Sequence, residues 1–108
     1  MLRDDDILVK HILEAAEKSV RFLSDSTRED FKKDEKLSLS TVRLLEILGE
    51  AASQVSEDYR MSHQEIPWRH MVSLRNRLIH GYFDVDLDIV WDTVKTDLPP
   101  LIEKLKGL

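Results

Sequence analysis

The chain has 108 residues, 34% of them charged, with three glycines, no cysteine and a formal net charge of −5. That length suits one domain around one core, so residues 1–108 read as a single domain. The missing cysteines exclude disulfides and thiolate-held metals, and the acidic balance argues against a broad, non-specific nucleic-acid binder, which needs many Lys and Arg contacts to phosphates.

No apolar run is long enough for a membrane span. The start, Met1-Leu2-Arg3-Asp4-Asp5-Asp6, reverses the basic-then-apolar order of a secretory signal. A cytoplasmic protein with no membrane contact is therefore expected. The first helix should begin within Asp4–Asp6, where carboxylates cap free N–H groups and suit the helix dipole. Leu8, Ile12, Ala15, Ser19 and Phe22 then follow at helical spacing, until Ser24-Asp25-Ser26 breaks the pattern. Thr27-Arg28-Glu29-Asp30 resembles a capping box with Asp in place of Glu, opening a short helix that presents Phe31.

The next helix should run from about Glu35 to about Glu57, capped by Asp34. It carries two apolar stripes: Thr41, Leu45, Leu48, Ala52 and Val55 form one, and Leu37, Leu44 and Ala51 the other. Two stripes imply burial on two sides, as in the central member of a bundle or a helix that also meets a partner. Glu65-Ile66-Pro67-Trp68 opens the fourth helix, with Pro67 at the first helical position, and Gly81 is a natural stop. Asp86 caps a helix carrying Leu87, Val90, Trp91 and Val94. Pro99-Pro100 should end or kink it, leaving Leu101–Leu105 as a last helical piece. No segment alternates like a strand. The expected fold is all-α: an antiparallel bundle of four main helices with short helical pieces.

Charge is unevenly spread. Between Tyr59 and Phe83, Arg60, Arg69, Arg75 and Arg77 face a single acid, Glu65, and Asp84, Asp86, Asp88, Asp92 and Asp97 follow against Lys95 alone. An anionic ligand should sit near the first of these segments, and the acidic run suits a basic protein partner better than RNA.

Within the basic segment, Asn76 and His80 lie four apart on one helical face, so the amide can hold an imidazole nitrogen. Arg75 lies about 140° round the helix from His80 and roughly 7.5 Å along it, close enough to converge on a group beyond the surface. A guanidinium binds phosphate, and an imidazole moves protons near neutral pH. Together they suit metal-free RNA cleavage, in which a 2′-hydroxyl attacks the neighbouring phosphate. A two-fold homodimer would supply a second histidine. Arginine and histidine near a helix C-terminus are also electrostatically favourable with no chemistry at all.

Arg75-x4-His80-x-Tyr82 resembles the RxxxxHxY signature of HepT-type toxins of the HEPN superfamily. The words Leu45–Ala52, Glu65–Arg69, His80–Asp86 and Ile89–Val94 match in the same order. The resemblance implies a helical-bundle homodimer that cleaves RNA without a metal in a cleft between protomers. By position, Arg75 would stabilise the scissile phosphate, His80 would transfer protons and Asn76 would orient it. It further implies a cognate minimal nucleotidyltransferase antitoxin of the MntA kind, which would neutralise the toxin by transferring AMP to Tyr82. The alternative is a non-catalytic HEPN binding subunit for such a nucleotidyltransferase. A plain helical dimerisation module is the third reading.

The remaining candidates read as structural. His11 sits beside the apolar stripe of the first helix. His63 and His70 have no carboxylate or cysteine at ligand spacing, so no metal site is expected. Arg69 should pair with Glu65, four residues earlier. Trp68 and Trp91 lie on apolar faces. Arg77 is a candidate auxiliary RNA-phosphate contact. No glycine-rich loop cradles a nucleotide, and no cofactor is expected.

Overall fold

The computed structural model describes residues 4–80 and 85–108, with residues 79 and 80 by backbone alone. All regular structure among these is helical: α1 (Asp4–Phe22), α2 (Arg28–Lys33), α3 (Glu35–Gln54), α4 (Glu57–Ser62), α5 (Trp68–His80), α6 (Leu87–Asp92), a π-helical turn (Thr93–Asp97) and α7 (Leu98–Lys106). The all-α bundle expected from the periodicity is the fold observed. No described helix is long and apolar enough to cross a membrane.

α3 is the central member. It packs against α1 on one side and α5 on the other, while α7 closes over α1 and the pair α2 and α6 covers the remaining flank. The first of its two stripes is fully used, for Thr41, Leu45, Leu48, Ala52 and Val55 are all buried. In the second, Ala51 is buried and Leu37 and Leu44 are half-buried. Ile12, Ala15 and Ala16 of α1, Met71, Leu74 and Leu78 of α5, and Val90, Val94, Leu98, Leu101 and Leu105 meet them in one core. Each buried Leu or Ile contributes about 1.5–3 kcal/mol by leaving water.

Two hydroxyls lie on these apolar stripes without penalty because each returns its proton to the turn before. Ser19 Oγ donates to Ala15 O at 2.9 Å and Thr41 Oγ1 to Leu37 O at 2.8 Å. The α1 stripe departs from expectation at its end. Phe22 is 41% exposed and Leu23, four residues after Ser19, is fully buried in its place. A hydrophobic face followed at 3.6 residues per turn drifts, and here it drifts by one position at the last turn.

The caps fall where the sequence puts them. Thr27 accepts from Asp30 N at 3.1 Å, Asp34 from Leu37 N at 3.1 Å, and Asp86 from Asp88 N at 3.0 Å. Asp86 also accepts from Ile89 N, holding two first-turn donors with one carboxylate oxygen. Asp86→Ala should therefore lower stability by about 1 kcal/mol, roughly 4–8 °C in Tm, measurable by thermal melts.

Three elements differ from the expected ones. α3 stops at Gln54 rather than near Glu57, because Ser56 caps a separate short helix, α4, whose Tyr59 N donates to Ser56 Oγ at 3.2 Å. Asp5 of α1 secures that start, accepting from Ser56 N at 2.8 Å and Ser56 Oγ at 2.7 Å. α5 begins at Trp68, so Pro67 stands just before the first helical residue, its carbonyl accepting from Met71 N at 3.2 Å. The expected stop at Gly81 lies outside the described residues.

Pro99-Pro100 neither ends nor sharply breaks the last helix. Two adjacent prolines remove two N–H donors, and their rings crowd the carbonyls four residues back. The chain relieves this by widening one turn, so that Leu98 N donates to Thr93 O, five residues earlier. The prolines then occupy the first turn of α7, where donors are not needed. Lys95 of the widened turn donates to Leu23 O at 2.8 Å and lies 4.8 Å from the Trp91 ring centroid, pinning the turn to the end of α1.

The acidic run after residue 84 is partly neutralised within the molecule. Asp88 pairs with Arg28 at 3.0 Å and Lys32 at 3.0 Å, Asp92 with Arg28 at 2.7 Å, and Asp97 faces His70 at 3.4 Å. Hydrogen bonds from Arg28, then Lys32, hold the Asp88 carboxyl below the usual carboxylate range. A lowered folded-state pKa gives stability that is present above the ordinary 3.8 and lost as pH falls through the lowered value. The pair is solvent-exposed, so the effect is small. Asp88→Asn should melt slightly below wild type at neutral pH and level with it well below 3.8.

Candidate active site

The four arginines of the basic segment part company in the fold. Arg60 turns inward along the end of α3, its Nε donating to Val55 O at 3.1 Å and its Nη2 to Ala52 O at 2.8 Å and Ser53 O at 3.0 Å. It satisfies carbonyls that the last turn leaves without partners, so its charge serves the helix end. Arg69 and Arg77 are exposed and form no ion pair among the described residues. The expected Arg69–Glu65 pair is not made: Glu65 faces His63 Nδ1 at 3.8 Å instead. Pro67 interrupts the helix between the two residues, so they do not share a face.

Arg75 is the arginine that the fold builds around. It lies where α5 crosses α3, opposite Gly49, and a Cβ placed on Gly49 would stand 2.1 Å from Arg75 Cβ and 2.8 Å from Met71 O. The absent side chain at position 49 is what lets the two helices touch and lets the arginine stem run against α3. Its Nε is buried with no hydrogen-bond partner, whereas Nη1 donates to Glu50 Oε1 at 2.7 Å. The Arg75 side chain keeps 22% of its exposure and that of Glu50 51%. The Nη end of the fork is therefore the end presented outward.

Asn76, next along α5, is exposed, and Arg77 borders a small hollow with Leu74, Leu78, Val85, Asp86 and Ile89. His80 is the final residue of α5, so Arg75, Asn76 and His80 share one continuous helix. Tyr82 lies outside the described residues. Trp68 is buried, its Nε1 donating to His63 O at 2.9 Å, and half-buried Trp91 packs against Phe31 with ring centroids 5.7 Å apart. Both are thus committed to packing. His11 is exposed. Among the described residues, no three His, Cys, Asp or Glu gather where they could hold a metal ion.

Sequence reasoning missed Glu50. It stands in one of the flanking words that carry the family resemblance, yet 25 residues separate it from its partner. The signal available was Gly49, since a glycine inside a helix costs about 1 kcal/mol against alanine and marks close approach of another backbone.

A long helix crossed closely by a second, with an outward-facing arginine and a histidine at R-x4-H spacing on that second helix, defines a helical-bundle protein with a candidate site at the end of α5. The model of the family "Ribonuclease HepT-like" matches residues 12–108, and the chain belongs to that family. It is 41% identical over 108 residues to "Probable ribonuclease HepT" of Thermococcus cleftensis, covering all of this chain and 98% of the relative. It is 36% identical over 100 residues to a candidate RNase of Caldanaerobacter subterraneus subsp. tengcongensis, covering 93% of this chain and 89% of that one. A candidate RNase of Methanocaldococcus jannaschii is 35% identical over 104 residues, covering 96% and 95%. No solved structure matches the chain.

Proposed function

We propose that the chain is a metal-independent endoribonuclease, acting as a homodimer, with Arg75, Asn76 and His80 as its catalytic residues. The observation that carries this reading is Arg75: its stem is buried against Gly49 and its Nη end faces outward, on the helix that ends at His80. Its relatives bear ribonuclease names, and membership of their family raises the prior for the same chemistry.

In this mechanism His80 takes the proton of a 2′-hydroxyl, whose oxygen attacks the adjacent phosphorus. The new O2′–P bond forms as the P–O5′ bond breaks, leaving a 2′,3′-cyclic phosphate and a 5′-hydroxyl. The partner subunit's His80 protonates the departing oxygen across the two-fold axis. Arg75 stabilises the charge of the phosphorane, and Asn76 orients the imidazole of its own helix. Arg77, exposed two residues on, holds a flanking phosphate.

The same reading makes the protein a toxin, with a minimal nucleotidyltransferase of the MntA kind as its antitoxin. The Tyr82 hydroxyl would attack the α-phosphorus of ATP and release pyrophosphate. The resulting AMP places a negative phosphodiester and a purine two residues from His80, opposing RNA by charge and volume.

The test is incubation of total RNA with purified protein in EDTA, after mass spectrometry has shown Tyr82 free of AMP. Cleavage to cyclic phosphate ends is the expected result. A folded, unmodified dimer that leaves RNA intact would overturn the proposal in favour of a binding subunit for the nucleotidyltransferase.

A further inference from the structure

The geometry points to Glu50 as the residue that positions Arg75 for the reaction, an inference that rests on the ribonuclease reading above. Arg75 can offer phosphate either the Nε edge of its fork or the Nη end. The Nε edge is closed, since that nitrogen is buried against the α3–α5 crossing and has no partner. Only the Nη end is available, and with the stem packed against α3 the freedom that remains is turning of the guanidinium about its last bonds.

Glu50 removes that freedom. Its Oε1 accepts from Arg75 Nη1 at 2.7 Å, and its Oε2 accepts from Gln54 Nε2 at 2.9 Å. Both carboxylate oxygens are engaged, so the acceptor that fixes Arg75 is itself fixed from one turn further along α3. The tether runs Gln54 to Glu50 to Arg75, from one helix to the next. It takes one Nη1 hydrogen and leaves the other, with both on Nη2, free for phosphate oxygens.

A carboxylate so close to the arginine also opposes the incoming phosphate by charge. Positioning and repulsion therefore predict opposite outcomes when Glu50 is shortened. If Glu50 acts by positioning, Glu50→Ala lowers kcat by about 10–100-fold while KM shifts less than about threefold, because geometry at the phosphorane is lost and ground-state binding is not. Glu50→Gln keeps an acceptor oxygen without the charge, so it restores most of kcat. A merely structural residue would not give that split or that rescue.

The experiment pairs steady-state cleavage of a short synthetic RNA by wild type, Glu50→Ala and Glu50→Gln with NMR of the Arg75 Nη hydrogens. Rotation about the Nε–Cζ bond, which swaps Nη1 and Nη2, should be slow in wild type and Glu50→Gln, and at least about tenfold faster in Glu50→Ala. An unchanged rotation rate in Glu50→Ala overturns the tether whether or not RNA is cut. A kcat that is unchanged or raised in Glu50→Ala overturns the positioning role and marks Glu50 as repulsive. A wild type that shows no cleavage refutes the ribonuclease reading instead, and the rotation rates still decide whether Glu50 holds Arg75.

Discussion

His80→Ala and Arg75→Ala are each expected, on the proposed mechanism, to lower RNA cleavage by about three orders of magnitude in a protein that still folds. The two losses have different origins. Removing a proton-transfer group costs roughly 10²–10⁴-fold, and in the two-fold cleft proposed above the histidine substitution would remove base and acid together. Removing a donor aimed at developing charge costs about 10²–10³-fold. Arg75→Lys should fall between Arg75→Ala and wild type. It keeps the charge, but an ammonium cannot hold Glu50 with one nitrogen while offering a second to phosphate. Single-turnover rates on a defined RNA, with circular dichroism and sedimentation on the same samples, would check all three. If His80→Ala cleaves within about tenfold of wild type, the chemistry resides elsewhere.

What could be read in the sequence was whatever lies within a turn or two along the chain. The caps at Thr27, Asp34 and Asp86 are contacts between residues two or three apart, and each is made as expected. The stripe on α3 is a period, and all five of its residues are buried. The R-x4-H motif is one stretch of one helix. What escaped depends on partners far apart in sequence or on competition between local rules. α4 has six residues and no buried side chain, so it casts no hydrophobic period, although Ser56 followed by Glu57 and Asp58 signals a helix start. At Pro99-Pro100 the rule that prolines end helices met a core already holding Val94, Leu98 and Leu101. Widening one turn keeps those three buried, which a break would not. Arg60 counted toward the basic segment by composition, whereas its hydrogen bonds to the Ala52, Ser53 and Val55 carbonyls commit it to the end of α3.

Gly49→Ala should destabilise the fold by about 2 kcal/mol, roughly 8–16 °C in Tm, though alanine is the better helix former. Taken alone, α3 would gain about 1 kcal/mol from the exchange. Against that stands a methyl group 2.1 Å from Arg75 Cβ, 2.8 Å from Met71 O and 2.9 Å from Arg75 Cγ. Two of these neighbours are a backbone carbonyl and a carbon fixed to the backbone, so no side-chain rotation makes room, and α3 and α5 must move apart. Overpacking of this kind costs about 1–3 kcal/mol and occasionally more, and it disturbs the shared core that holds Leu45 and Leu48 of α3 with Met71 and Leu74 of α5. The same separation pulls Arg75 Nη1 away from Glu50, so cleavage should fall even at temperatures where the variant remains folded. Gly49→Val, with a branched side chain in that space, should not fold. A Gly49→Ala protein that melts at or above the wild-type temperature would show that the helices do not meet as closely as the crossing requires, and would remove the reason for a glycine in the middle of α3.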